Sequence, residues 1–179
     1  MDPRTTIAAF DDFLAARSAD FSGIVIGGTA LALIGIVVRP TRDCDVLDPP
    51  IPADLATHAR TFAAQRRGTG DPLADDWFNT GPASLTSVLP SGWRDRLIDA
   101  FTGRALRLRT LGRSDLLASK LFALCDRGTD LGDCLALAPT EAELATARPW
   151  LEYQDANPDW PAHTRNVIAD LARRLRHGL

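Results

Sequence analysis

Residues 26–45 read IGGTALALIGIVVRPTRDCD, and they hold the side chains best suited to chemistry. Asp43 and Asp45 are separated by one residue. On a strand they project from one face about 6.5 Å apart, while Cys44 and Val46 point the other way, into a core. Two carboxylates at that spacing can share a hard divalent cation through oxygen ligands. The same pattern on a solvated strand edge does no chemistry. Upstream, Gly27-Gly28 stands between a β-branched run and a short apolar helix. Such a junction leaves free backbone N–H groups at a positive dipole end, where a phosphate can bind. Glycine also lets a ligand approach the backbone closely, although a Gly-Gly there can be a tight turn and nothing more. Thr29 offers a further hydroxyl donor, and Arg39 and Arg42 lie in the loop before the acids.

A second block, residues 114–133, reads SDLLASKLFALCDRGTDLGD. Lys120 and Arg127 are seven residues apart, hence on nearly the same helix face, beside the apolar stripe of Leu117, Leu121 and Leu124. Asp130 and Asp133, three apart, are placed to order those cations. Of 20 Lys+Arg only Lys120 is a lysine.

The elements that must position these residues follow from periodicity. Asp2-Pro3 starts a helix through Ile7, Phe10, Phe13 and Leu14, ending near Ser18. Strands are expected over 22–26 and 43–47, with a short helix over 29–34 between them. A helix from Pro52 to about Arg67 is followed by a loop over 68–71. Trp77-Phe78 suggests a third short strand, and Leu85, Val88 and Leu89 a turn or two of helix after Pro82. Residues 105–111 alternate cleanly, with Leu106 and Leu108 on one face and Arg107 and Arg109 on the other. From there the chain reads as helical: Ser114 caps a helix stopped by Gly128, and Thr129 caps another over 130–137. Thr140 and Glu143 form a capping box, and Asp159 starts the last helix.

The 179 residues are 45% hydrophobic and 24% charged, the profile of a soluble globular chain able to bury a full core. Three scattered cysteines make neither a disulfide scaffold nor a zinc cage. The net charge of −3 excludes nucleic-acid binding by bulk positive charge and leaves room only for a local basic face. No signal peptide is visible, and the most apolar stretch, residues 24–38, is too short and glycine-interrupted to span a bilayer. A cytoplasmic chain without membrane contact is expected.

The succession of Gly-Gly, short helix, Arg39 and Arg42, then Asp-x-Asp flanked by hydrophobic residues resembles the signature of the polymerase-β-like nucleotidyltransferase superfamily. More narrowly, GGTALAL followed by RPTRDCD, with the 114–133 block, is similar to small bacterial nucleotidyltransferase-like proteins related to abortive-infection and type IV toxin–antitoxin nucleotidyltransferases. The resemblance implies an α/β (α+β) fold. Residues 1–112 would form a small mixed-sheet core with flanking helices, and 113–179 a helical region packed on it, in one domain overall. It implies transfer of a nucleoside monophosphate from an NTP to a hydroxyl acceptor, with Asp43 and Asp45 on Mg²⁺ or Mn²⁺. Gly27, Gly28, Thr29 and Arg42 would then bind the nucleotide, and Lys120 and Arg127 would clamp its triphosphate, supported by Asp130 and Asp133. The acceptor would be a tRNA 3′ end or a partner protein, in a toxin–antitoxin or phage-defence setting with a cognate partner. One departure stands out: the superfamily takes a third carboxylate from a neighbouring strand, and strand 105–111 offers none. Asp76, or Asp75, beside Trp77-Phe78 is the candidate third ligand. Without it, a degenerate nucleotide- or partner-binding module, an antitoxin or regulatory subunit, is the alternative.

Overall fold

The computed structural model describes residues 1–70, 73–81 and 84–178. The chain divides into two compact units, Met1–Ser87 with Leu97–Leu111, and Val88–Arg96 with Gly112–Leu179.

In the first unit, α1 (Pro3–Ala15) begins at the proline the sequence marks. Then come β1 (Phe21–Ile26), α2 (Gly27–Leu33), β2 (Cys44–Asp48), α3 (Ala53–Gly68) and β3 (Phe78–Thr80), with a single turn, α4 (Leu85–Val88), after it. β4 (Ile98–Thr102) and β5 (Leu106–Thr110) complete a mixed five-stranded sheet of order β3-β2-β1-β5-β4. The α/β class expected from the sequence holds. β1 is antiparallel to β2 and parallel to β5, β2 is parallel to β3, and β4 is antiparallel to β5.

The two faces of this sheet differ in chemistry. On one, Phe21, Val25, Cys44, Val46, Phe78, Leu106 and Leu108 pack against Ile7, Phe10 and Leu14 of α1 and Leu55, Ala59 and Phe62 of α3. The Phe10 ring stands edge-on to Trp77 at 5.1 Å and 5.2 Å from Phe62, arrangements that add to the area the rings bury. The other face is set by register: Ser22 pairs with Arg107, Ile24 with Arg109, Ile26 with Asp45, and Asp45 with Asn79.

Two expectations need amendment. Gly27 and Gly28 are the first residues of α2 and not a turn ahead of it. Trp77 lies just before β3, which explains two consecutive buried aromatics: Trp77 fills the core from a turn, Phe78 from the strand. Asp71, the last residue of the expected loop, and Pro82, from which a helical turn was expected to follow, lie outside the described residues. β4 has no counterpart in the sequence reading. It is an edge strand with a register shift between Asp99 and Phe101 and an exposed Ile98, so its residues show no alternation.

The hairpin joining β4 to β5 is locked by a side chain from α1. The buried Asp11 carboxylate accepts from the backbone N–H groups of Arg104 (3.0 Å), Ala105 (2.8 Å) and Leu106 (2.7 Å). A side chain on Gly103 would run into that carboxylate. Burial raises the Asp11 pKa, but the three N–H donors outweigh it and the net shift is downward.

The second unit holds α5 (Arg113–Arg127), α6 (Leu131–Leu137), α7 (Glu141–Glu152) and α8 (Trp160–His177), with a 3₁₀ turn over Trp93–Arg96. Gly128 at φ +67° ends α5 as expected, its N–H returning to the Leu124 carbonyl at 3.0 Å. The Thr140/Glu143 capping box is formed. Two caps differ: Gly112, not Ser114, precedes α5, and Asp130, not Thr129, precedes α6.

Because the Asp11 pKa is lowered in the fold, its contribution is complete above the unfolded value of about 3.9 and fades as pH falls through the folded value. Asp11→Asn should cost about 2 kcal/mol or more at pH 7, since N–H bonds to a charged acceptor are lost, and should flatten the acid limb of stability below about pH 4. Urea melts at pH 7 and pH 3 check this; equal loss at both would contradict a role for the charge.

Candidate functional site

The end of β1, the first turn of α2 and the start of β2 converge in the first unit. Ile26 pairs with Asp45, so the carboxylate comes off β2 beside the point where β1 turns into helix. Gly27 occupies that point at φ +74°, and a Cβ there would lie 3.0 Å from Asp45 Oδ2. Conformation and space both demand glycine. At Gly28 the space closes from the other side, where a Cβ would lie 2.9 Å from Thr41 Cγ2.

Asp43 lies one residue before β2 and is half-buried. Its carbonyl accepts from the Thr29 hydroxyl at 2.6 Å and the Thr41 hydroxyl at 3.3 Å, the two hydroxyls lying 3.0 Å apart. Thr29 is buried and its proton is directed to that carbonyl, so it positions the Asp43 segment and is not a free phosphate donor. The far end of α2 is held by Arg4, which donates to the carbonyls of Ala32 (3.0 Å) and Leu33 (3.1 Å), a cation where the helix dipole favours one. Arg42 is exposed next to Asp43.

Cys44 is fully buried between the two acids in sequence. Burial first, then the Asp45 and Asp43 charges, push its thiol far above the ordinary range, so it packs and does not attack.

The strand position level with Asp45 on β3 is Asn79, an amide. Asp76 is exposed in the turn before β3, where its carbonyl accepts from Asn79 Nδ2 at 3.3 Å. The Asp75 carboxylate pairs with Arg67 at 2.7 Å. Among the described residues no group of three or more His, Cys, Asp or Glu side chains is arranged to hold a metal.

The second unit gathers the other predicted residues. Lys120 is buried on α5, with Nζ 2.7 Å from Asp133 and 3.4 Å from Asp130. Asp130 reaches Lys120 from a backbone at φ +67°, the turn that starts α6. Arg127 is exposed, its nearest ionic partner Asp126 at 3.5 Å. Cys134 sits in the same surroundings, and burial, then the Asp130 charge, push its thiol up to about 12.

In this unit two arginines each hold one carboxylate at two points, which the sequence reading did not anticipate. Arg96 holds the buried Asp115 carboxylate through two 2.8 Å bonds. Arg113 does the same for Glu143, holding its pKa at about 2.

The family comparison makes this a nucleotidyltransferase-like protein, and the chain has a mixed α/β core. The chain belongs to a family of nucleotidyltransferases of unknown function (DUF6036), whose model matches residues 6–136. Comparison with curated proteins and with solved structures finds no match. No helix among the described residues is long and apolar enough to cross a membrane.

Lys120→Met removes the ammonium from beside a carboxylate that is only 2% exposed, that of Asp133, and should destabilise by about 3–5 kcal/mol. Asp130→Asn, at the longer and more exposed contact, should cost less than about 1 kcal/mol. Thermal melts of the two variants give the comparison; a Lys120→Met protein melting with wild type would show that the cluster adds nothing.

Proposed function

We propose that this chain is a metal-dependent nucleotidyltransferase that moves a nucleoside monophosphate from an NTP to a hydroxyl acceptor and releases pyrophosphate. The observation that carries this reading is the Asp45 carboxylate set against the Gly27 backbone at the start of α2. Asp43 stands two residues away on a segment fixed by Thr29 and Thr41.

Two carboxylates suit Mg²⁺ or Mn²⁺, which take oxygen ligands and complete their shell with water and substrate phosphate. Asp43 and Asp45 would hold the cation, which would supply charge neutralisation at the α-phosphate. Asp43 and Asp45 fix where that centre lies. Gly27 puts no side chain against Asp45, and the Gly27 and Gly28 N–H groups at the start of α2 would be the donors to a phosphate oxygen. Arg42 adds positive charge at the rim. The acceptor oxygen attacks the α-phosphorus as the bond to the bridging oxygen breaks, and pyrophosphate carries away the electron pair. Asn79 cannot take the acceptor's proton, which passes to a phosphate oxygen or to water. Lys120 stays paired with Asp130 and Asp133 in the second unit. The acceptor is a tRNA 3′ end or a partner protein's tyrosine, in a toxin–antitoxin or phage-defence setting with a cognate partner.

Asn79 at the level of Asp45 favours a second reading, a binding module that keeps the nucleotide site without turnover. Incubation with each labelled NTP, Mg²⁺ or Mn²⁺, and total RNA or cell lysate separates the two. The first reading expects label transfer with pyrophosphate release, reduced at least about 100-fold by Asp45→Asn, and faster with Asn79→Asp. Nucleotide binding with no transfer would establish the second, and transfer that survives Asp45→Asn would overturn the assignment of the site.

A further inference from the structure

We propose that the sheet face bearing Asp45 also carries a binding track for the phosphodiester backbone of a nucleic-acid acceptor, with Arg107 and Arg109 as its contacts. The inference rests on the transferase reading for what the track delivers, but the track itself is read from the sheet.

Arg107 and Arg109 alternate with the buried Leu106 and Leu108, so both guanidiniums leave the same face of β5, about 6.6 Å apart along the strand. The register places that face. Arg107 lies level with Ser22 and Arg109 with Ile24 on β1, and two residues further along β1 Ile26 lies level with Asp45. A Cβ on Gly81 would meet both Asp45 Cβ (3.2 Å) and Ile26 Cδ1 (3.7 Å), which puts those two side chains on one side. On the outer strand, Thr102 faces Arg107 and Asp99 faces Arg109.

Other arginines of this unit are engaged: Arg4 with carbonyls of α2, Arg67 with Asp75, Arg104 with Asp12. Arg107 and Arg109 are exposed, and neither side chain has an ion pair or hydrogen bond among the described residues, Asp99 included. The core half of β5 is supplied by the leucines, so folding does not call for two adjacent like charges. A planar guanidinium is matched to phosphate oxygens.

Distance decides between a triphosphate and a longer chain. Two strand spacings across the sheet and the offset along it put the Arg109 Cα about 12 Å from that of Asp45 and the Arg107 Cα about 16 Å away. A triphosphate whose α-phosphate lies at the acids ends near Arg109 at the furthest. Arg107 calls for phosphates beyond it, as a strand running toward its reactive hydroxyl supplies. A short basic track on a chain of net charge −3 gives salt-sensitive binding from local charge alone.

The test is fluorescence anisotropy of the full chain with a labelled 12-nucleotide single-stranded RNA between 50 and 200 mM salt, alongside calorimetric binding of ATP with Mg²⁺. Arg107→Gln/Arg109→Gln should weaken RNA binding at least tenfold and reduce the slope of log K against log salt by about 1.4, leaving ATP affinity within twofold. Arg60→Gln on α3 serves as a charge control and should change neither, and circular dichroism melts should coincide because both arginines are exposed and unbonded. Failure of wild type to bind the RNA, RNA binding unchanged in the double variant, or a parallel loss of ATP binding would overturn the proposal, the last assigning the arginines to the triphosphate. Binding of a poly-glutamate peptide as tight as the RNA would overturn it in favour of an acidic protein partner. Asp45→Asn should retain RNA binding, so loss of turnover and loss of the track are read separately.

Discussion

The close approach of the Asp45 carboxylate to the first turn of α2 is the constraint around which the first unit is arranged. It requires a residue at φ +74° with no side chain, which Gly27 supplies, and it requires β2 to lie antiparallel to β1 with Asp45 level with Ile26. The loop between α2 and β2 must then return tightly enough for Thr41 to touch the Gly28 backbone. Two threonine hydroxyls converge on one carbonyl, that of Asp43, to hold this return. The glycines thus serve two approaches at once, one from the carboxylate and one from the loop that carries it. A substitution at either would displace β2 or the loop before any ligand was involved.

The first unit was legible in sequence where one side of an element faces a core and the other does not. Leu106, Arg107, Leu108 and Arg109 show that contrast, as do Cys44, Asp45 and Val46, and those strands lie within a residue of their expected places. β4 escaped because an edge strand with a register shift needs no alternation. Asp11 escaped for a related reason. It falls on the Ile7–Leu14 stripe of α1, where an acid signals a buried acceptor, but its partners are backbone N–H groups more than ninety residues away. Backbone donors leave no trace in side-chain pattern.

The site itself was legible in part. The order of the motifs brought Asp45 and the two glycines together, and the β1–β2 register agrees with that. The role of Thr29 was not, because a hydroxyl beside a phosphate loop and a hydroxyl holding a neighbouring carbonyl look the same in sequence. The identity of the residue level with Asp45 on β3 depended on register. With Trp77 assigned to the turn, the strand begins at Phe78 and Asn79 falls opposite the acid. A shift of one residue would have placed a different side chain there, since successive residues face opposite ways.

The one lysine among 20 basic residues acquires a physical reason that composition cannot provide. Lys120 is enclosed on α5, its ammonium between Asp133, itself almost without solvent, and the half-buried Asp130. An ammonium is a compact charge with three donors that rotate to meet partners at unequal distances, here 2.7 and 3.4 Å. A guanidinium is planar and broad, with its donors fixed in a fork, and it is used where this chain needs a two-point grip on one carboxylate, as in Arg96 on Asp115 and Arg113 on Glu143. At position 120 two carboxylates approach separately from either end of the turn into α6, so a fork can satisfy one and must crowd the other. The preference for lysine there follows from how the acids are presented. It needs no appeal to a phosphate, whose negative charge would have to compete with two aspartates already in place.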